Sequence, residues 1–293
     1  MKSWILAARP KTLLAGVVPV WLGCALAWRL GGVFDGWLAL CTLLSALGIQ
    51  VATNLFNDAI DFEKGADGAG RVGPRRVTAS GDLSGRAVMG GGVLVLLVAC
   101  ALAVPLIQAR GWPILAIGIP SLYFSYGYTG GPMPLAYRGM GELFVILFFG
   151  LVAVTGTYFV QTGDWSWEAM VLGFQVGCLS TVMIAVNNLR DVDEDRASGK
   201  RTLAVRWGKD FARKEIMWLS FAAILSGGHW VYGEEGLWAA GVWPLAMLPL
   251  TLVMVAGVFR EEPGPKYNRF LGMAAGQLLL FAVLFTIGLG VFG

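Results

Sequence analysis

The chain is poor in charge, in histidine and in paired cysteines. Only 14% of its 293 residues are charged, and it has one histidine, His229, and four cysteines that lie in apolar segments without a Cys-x-x-Cys spacing. This pattern indicates neither a zinc site nor a disulfide framework. With 56% hydrophobic residues, the composition excludes a soluble domain of this length. The net charge of +3 gives no indication of nucleic-acid binding.

Long apolar runs predict an all-α, polytopic membrane protein. A helix that crosses the hydrocarbon core needs about 20 mostly apolar residues. Nine segments approach this length: 12–30, 37–58, 87–107, 112–128, 139–161, 168–189, 214–232, 236–258 and 269–292. A signal peptide is an alternative interpretation of residues 1–30, but eight further segments make its cleavage unnecessary.

The distribution of lysine and arginine predicts an orientation. If the N-terminus is cytoplasmic, alternation places all 22 of these residues except Arg29 and Arg110 on the cytoplasmic side. Such a bias is what the positive-inside rule predicts. We therefore expect a multi-pass protein of the cell membrane with its N-terminus in the cytoplasm and its C-terminus outside.

Two polar stretches end hydrophobic helices on this cytoplasmic side. Acids beside a membrane span are costly and are therefore candidates for function. On each stretch the polar residues share one helical face. These are Asn54, Asp58 and Asp61 at i, i+4 and i+7, and Asn187, Asp191 and Asp195 at i, i+4 and i+8. Pairing with neighbouring Arg and Lys is the alternative to cation binding, but asparagine is a weak partner for such pairs.

A faint internal repeat links the stretches. Asn54-x3-Asp58 precedes Lys64-Gly65, and Asn187-x3-Asp191 precedes Gly199-Lys200. The repeat predicts two related halves that bring both polar faces to one central cavity. Carboxylate and amide oxygens are ligands that Mg²⁺ prefers. The basic loops that follow could bind a metal-complexed diphosphate. The usual reason for basic loops, however, is attraction to lipid headgroups or the positive-inside topology of membrane proteins.

The motifs that carry these acids resemble a known family. Asn57-Asp58-x-x-Asp61 and Asp191-x-x-x-Asp195 are similar to the two aspartate-rich motifs of UbiA-type membrane prenyltransferases. Further strings resemble the 1,4-dihydroxy-2-naphthoate polyprenyltransferase branch: Ala8-Arg9-Pro10-Lys11-Thr12-Leu13, Asn187-Asn188-Leu-Arg-Asp191, Tyr137-Arg-Gly139-x-Gly141-Glu142 and Gly199-Lys200-Arg201-Thr202-Leu203. The spacing of Asp67 departs from that of much of the superfamily.

The resemblance implies one transmembrane domain over residues 1–293, with about nine helices around a central cavity. It also implies Mg²⁺-dependent loss of diphosphate from a polyprenyl diphosphate and attack by an aromatic acceptor on the resulting allylic cation. In the naphthoate branch, prenylation accompanies decarboxylation and gives a demethylmenaquinone.

The resemblance and the residue types together assign the expected site. The expected metal ligands are Asn57, Asp58, Asp61, Asn187, Asp191 and Asp195, and the four aspartates among them are the expected catalytic residues. The expected substrate-binding residues are Lys64, Arg71, Lys200, Arg9, Lys11 and Tyr128. Tyr128 could steady a carbocation through cation–π attraction, although tyrosines also form belts at membrane interfaces.

Two alternatives stay open at this level. The same chemistry could act on a hydroxybenzoate, homogentisate, chlorophyllide or haem acceptor. Internal repeats and intramembrane polar residues also occur in secondary transporters. Transporter sites lie near the bilayer midplane, whereas the acids here end their helices at its edge.

Overall fold

A computed structural model describes residues 2–66, 73, 75–233 and 236–291, and its regular elements in those ranges are all helical. The principal helices are α1 (Lys2–Ala8), α2 (Leu14–Gly31), α3 (Gly36–Glu63), α4 (Gly85–Arg110), α5 (Trp112–Gly127), α6 (Gly141–Thr162), α7 (Trp167–Arg190), α8 (Val192–Ala197), α9 (Leu203–Trp207), α10 (Lys209–Leu225), α11 (Gly228–Tyr232), α12 (Trp238–Arg260) and α13 (Tyr267–Val291).

Seven helices in the described ranges are long and apolar enough to cross a membrane: α2, α3, α4, α6, α7, α12 and α13. The all-α, polytopic prediction is therefore confirmed, but the count of nine is not. Predicted segment 112–128 forms α5, with 16 residues, and segment 214–232 is divided between α10, with 17 residues, and α11. At 1.5 Å per residue, α5 is about 24 Å long, shorter than the hydrocarbon core of about 30 Å.

Capping side chains fix where the long helices begin. Asp35 accepts hydrogen bonds from the backbone N–H groups of Trp37 and Leu38 at the start of α3. Ser84 and Ser166 cap α4 and α7 in the same way. These caps satisfy N–H groups that have no partner within the helix, so each start is defined locally by the sequence.

Helix α7 lies at the centre of the molecule. Within its most apolar window 78% of the residues are buried, compared with 17% for α4. It packs against α2, α6, α10 and α13. The helix that carries the second polar stretch is thus enclosed by protein, whereas α4 presents most of its surface outward.

Glycines bring α6 close to α7. Residues Ile146–Val152 of α6 form a π-helical segment, and a Cβ at Gly177 of α7 would lie 2.9 Å from the Ile146 carbonyl oxygen and 3.3 Å from the Cα of Gly150. Small residues permit such approach between membrane helices. The contact fixes the first turn of α6 beside the last turns of α7, where the polar residues lie.

Candidate active site

A cavity of about 480 Å³ lies between the ends of α3 and α7. Both polar stretches contribute to its wall: Asn54, Asn57, Asp61, Asn187, Asp191 and Asp195. Residues far apart in sequence, at the ends of α3 and α7 and on the short α8, thus meet at one cavity. This is the juxtaposition on which a shared metal and diphosphate site depends.

Asp58 is turned away from the cavity. Its carboxylate accepts hydrogen bonds from the backbone N–H groups of Thr78, at 2.9 Å, and Val77, at 3.3 Å. The cavity-lining residues 54, 57 and 61 follow a spacing of i, i+3 and i+7, and Asp58 lies about 100° around the helix from Asn57. The structure therefore places Asp58 as an anchor for the loop after α3, not among the cavity-lining residues that could hold a metal.

Asn57 and Asp61, the other two residues of the first motif, line the cavity, and each is hydrogen-bonded to other side chains. Asn57 accepts a hydrogen bond from the Thr129 hydroxyl. Asp61 is only 3% exposed, and its carboxylate accepts from Tyr137 Oη at 2.9 Å and Lys200 Nζ at 3.1 Å, with Arg76 Nη2 at 3.5 Å. Asp61 is a buried carboxylate whose charge is balanced by two cations.

Tyr137 connects the two basic loops. Lys64 Nζ lies 4.2 Å from the centre of its ring and Lys200 Nζ lies 5.2 Å from it, and Lys64 also donates to the Thr129 carbonyl at 2.7 Å. Partial removal from water lowers the pKa of Lys64, an effect that Asp61 opposes and Lys200 reinforces. The ammonium groups of Lys64 and Lys200 thus both lie beside Asp61, at the ring of Tyr137.

The second stretch contains a bidentate ion pair. Arg190 donates to both oxygens of Asp191 at 2.7 Å, and its Nη1 donates to Asn268 Oδ1 at 2.8 Å. The pKa of Asp195 is raised to about 7, chiefly by burial; Lys200 lowers this pKa, and the charges of Asp191, Asp61 and Glu194 contribute to the rise. Asp195 is thus a buried carboxyl group whose charged form the surrounding fold disfavours.

The donor set fits a hard divalent cation. It consists of carboxylate and amide oxygens, and the burial that raises the pKa of Asp195 disfavours a charge that a bound cation would stabilise. In the part of the chain that the structure describes, no group of three or more His, Cys, Asp and Glu residues is already gathered to hold a metal. Arg190 and Lys200 instead occupy Asp191 and Asp61, so these pairs must loosen for both acids to become ligands.

Three of the predicted substrate-binding residues line the cavity, and others lie outside the described part of the chain. Lys200, Arg9 and Tyr128 line the cavity. Arg9 has a left-handed backbone with φ of 52°, at the break between α1 and the turn Pro10–Thr12. Arg71 and Asp67 lie outside the described residues, as does the side chain of Lys11.

An apolar cavity of about 220 Å³ continues the polar one toward the interior of the bundle. Gln50, Tyr128 and Phe149 line both. The wall of the second cavity is otherwise mostly aliphatic and aromatic, including Phe144 and Phe148. A ligand with a polar head and a hydrocarbon tail could therefore extend from one cavity into the other.

Two side chains of this site were not among the predicted site residues. Tyr137 contacts Asp61, and Glu142 lines the cavity and accepts a hydrogen bond from Asn188 at 2.7 Å. The sequence could have indicated Glu142, because an acid in the first turn of an apolar segment is a candidate for function. Tyr137 had none beyond the resembling string, since a tyrosine near a membrane edge is common.

Comparison with known proteins identifies the family of this chain. The sequence profile of the UbiA prenyltransferase family matches residues 16–284. A 1,4-dihydroxy-2-naphthoate octaprenyltransferase of Bacillus subtilis is 32% identical, over 96% of this chain and 90% of its own. One of Mycobacterium leprae is 38% identical, over 72% of this chain and 71% of its own. A UbiA homologue from Archaeoglobus fulgidus, solved with DMAPP and Mg²⁺, has the same fold with a TM-score of 0.66 at 16% identity, covering 97% of this chain and 99% of its own. The chain belongs to the UbiA prenyltransferase family.

Proposed function

From this family membership, we propose that the protein transfers a polyprenyl group from polyprenyl diphosphate to 1,4-dihydroxy-2-naphthoate. Diphosphate and carbon dioxide are released, and the aromatic product is a demethylmenaquinol, the reduced form of a demethylmenaquinone. The names of relatives at 32% and 38% identity support the choice of donor and acceptor.

The observation that carries the proposal is the meeting of both acidic stretches at one cavity. Asp61, Asp191 and Asp195 line it together with the cations Arg9, Arg76 and Lys200. Alternating negative and positive groups suit a diphosphate that is bound both through metal ions and directly. The apolar continuation past Tyr128 suits the prenyl chain.

Mg²⁺ is the proposed cofactor, held by Asn57, Asp61, Asn187, Asp191 and Asp195. Bound there, it would neutralise charge on the diphosphate oxygens and make diphosphate a better leaving group. Lys200 and Arg76, now paired with Asp61, are placed to bind diphosphate oxygens when the metal takes their carboxylate. The protein thus exchanges ion pairs within the chain for a metal–diphosphate complex.

The chain's other contribution is to protect the allylic cation. The aromatic and aliphatic wall of the inner cavity excludes water, which would otherwise capture the cation. The Tyr128 ring, which lines both cavities, is placed to steady it through cation–π attraction. Arg9 is placed to bind the carboxylate of the acceptor.

The proposed location is the cytoplasmic membrane, with the N-terminus and the cavity toward the cytoplasm. The excess of Lys and Arg on that side supports this orientation. Polyprenyl diphosphate then binds with its diphosphate at the cytoplasmic edge and its chain among the helices.

The deciding experiment incubates the detergent-solubilised protein with one polyprenyl diphosphate, Mg²⁺ and a panel of aromatic acceptors. With 1,4-dihydroxy-2-naphthoate, we expect a product heavier by the prenyl group and lighter by carbon dioxide, detected by mass. A product that keeps its carboxylate, or a preference for 4-hydroxybenzoate, overturns the acceptor but leaves prenyl transfer standing. Failure to release diphosphate from the allylic donor with every acceptor overturns prenyl transfer.

A further inference from the structure

Glu142 places a buried carboxylate in the cavity wall that neither the metal nor the diphosphate uses. The side chain is 4% exposed, and its Oε1 accepts a hydrogen bond from Asn188 Nδ2 at 2.7 Å. Its Oε2 is buried and has no hydrogen-bond partner among the described residues. Because an unpaired buried acceptor is costly, a ligand that brings a hydrogen-bond donor to Oε2 is favoured.

Glu142 lies in the part of the cavity where the prenyl chain and the aromatic ring, not the diphosphate, are expected to bind. Its partner Asn188 precedes Asp191 by three residues on α7, a rise of about 4.5 Å along the helix axis. Asn188 also belongs to the stripe of α7 that lines the cavity, with Ser180, Met183, Ile184 and Asn187. Through Asn188, Glu142 therefore contacts α7 about one helical turn deeper than Asp191.

The Tyr128 hydroxyl lies next to the first turn of α6, which contains Glu142. A Cβ at Gly141 would be only 2.9 Å from Tyr128 Oη, so glycine there leaves the room that this hydroxyl occupies. Tyr128 also lines both the polar and the apolar cavity. Glu142 thus lies where the two cavities join, which is where a prenyl group and its acceptor have to meet.

We propose that Glu142 binds the hydroxyl group of the aromatic acceptor next to the reacting ring carbon and acts as its general base. The inference rests on the proposed prenyl transfer. A carboxylate selects a hydroxyl because the hydroxyl donates a hydrogen bond, whereas the acceptor's own carboxylate is repelled and is directed toward Arg9. Asn188 is a positioning residue that fixes the carboxylate through Oε1.

The proton transfers balance. As the ring carbon bonds to C1 of the prenyl group, the bond from C1 to the diphosphate oxygen breaks and diphosphate leaves with the electron pair. The hydroxyl proton passes to Glu142 Oε2, and the electrons of the O–H bond form a ring carbonyl. When carbon dioxide leaves, the electron pair of its bond restores the aromatic ring, and the carbonyl oxygen takes the proton back from Glu142. Glu142 is regenerated and no proton is lost overall.

The test compares the wild type with Glu142→Gln on two acceptors, in full-length detergent-solubilised protein. One acceptor is 1,4-dihydroxy-2-naphthoate, and the other carries an electron-withdrawing substituent so that its hydroxyl is already ionised at the assay pH. Glutamine can still accept from Asn188 but cannot take a proton. On the first acceptor we expect kcat to fall by about 10²–10⁴-fold, the usual contribution of a general base. The KM for polyprenyl diphosphate should not change.

On the ionised acceptor, which needs no base, the deficit of Glu142→Gln should shrink at least tenfold. An equal deficit on both acceptors, or wild-type turnover on the first, overturns the role of Glu142. Glu168→Gln is the matched control, because Glu168 is a partly buried acid in the first turn of α7, at the end of that helix opposite Asn188, and its carboxylate accepts a hydrogen bond from Ser166 outside the described cavity lining. If Glu142→Gln does not fold, Glu142→Asp retains the base one methylene further away, and the same rescue is expected. Failure of prenyl transfer itself is recognised separately, by an inactive wild type with both acceptors.

Discussion

Asp58 and Asp61 are three residues apart on one helix and have different surroundings. Asp58 receives two backbone N–H groups of the loop that follows α3, whereas Asp61 receives a tyrosine hydroxyl and two cationic side chains beside a cavity. A carboxylate held by backbone N–H groups stabilises a fold. A carboxylate held by lysine and arginine could bind a metal instead, which would leave those two cations for a diphosphate.

Removal of the cavity-facing carboxylates should abolish turnover. Asp61→Asn and Asp195→Asn keep side-chain volume but remove the charge that binds the metal, so we expect at least about a 100-fold loss, typical of a lost electrostatic contact in a transition state. Asp193→Asn is the control, since Asp193 lies on the same short helix as Asp195 with 68% of its side chain exposed. Product formation is measured with and without a chelator, and Mg²⁺ should restore the chelated wild type. Substantial metal-independent activity in either cavity variant would argue against the shared metal site.

The pKa of Asp195 predicts how the metal-free protein responds to pH. Its pKa is about 7 in the folded state, against a reference value of 3.8. Between these values the folded state keeps a proton that the unfolded state loses, so rising pH favours unfolding. In chelator, we expect the unfolding temperature of the wild type to fall relative to that of Asp195→Asn as the pH rises from 4 to 7. Parallel curves for the two proteins would show that Asp195 is not buried as described.

At the scale of the element, α7 combines two tasks. Its middle forms much of the buried core, with Leu172, Val176, Leu179 and Val182 fully buried, and its C-terminal turns carry Asn187, Asn188 and Asp191 to the cavity. Because the middle is enclosed by α2, α6, α10 and α13, the polar end is held in one position. A rigid helix thus positions the second motif, with the short α8 placing Asp195 one turn beyond it.

The approach of α6 to α7 should be sensitive to one methyl group. In Gly177→Ala the new Cβ meets backbone atoms of Ile146 and Gly150, which cannot move as a side chain does. We expect a destabilisation of about 1–3 kcal/mol, as for other overpacked cores, together with reduced turnover because Glu142 moves relative to Asn188. The control is Gly276→Ala in α13, where a Cβ meets nothing within 4 Å. Thermal unfolding in detergent distinguishes the two, and equal unfolding temperatures would contradict the close packing.

At the scale of the whole molecule, polarity changes in one direction through the bundle. The cavity at the ends of α3 and α7 contains acids and bases, and it leads past Tyr128 into a cavity with an apolar wall. The basic loops adjoin the polar end. Orientation in the membrane therefore decides from which side the diphosphate and the acceptor arrive.

Single-cysteine labelling tests that orientation. In a background lacking Cys24, Cys41, Cys100 and Cys178, we expect Ala66→Cys and Ser198→Cys to react with a membrane-impermeant reagent only when the cytoplasmic face is accessible. Asp164→Cys, in the turn between α6 and α7, should react only from the opposite face. Labelling of residues 66 and 198 from outside in intact cells would reverse the orientation and move the proposed site to the outer face.

Local features of the sequence predict the all-α membrane fold and most of its long helices, but not their number. Apolar length and capping residues act locally, so Asp35, Ser84 and Ser166 mark helix starts without any tertiary contact. The chemistry of the two acidic stretches follows from their composition, because oxygen ligands without histidine or cysteine favour a hard cation.

Which acids face the cavity, and which groups accompany them, depends instead on how distant segments pack together. Periodicity places Asp58 and Asp61 on one broad face, but the loop that returns to Val77 and Thr78 takes Asp58 out of it. The partners Tyr137, Lys200 and Glu142 come from segments distant in sequence. Hydrogen bonds and ion pairs between such segments depend on how helices pack, and helix packing is set by side-chain shape across the whole core, which no local pattern contains.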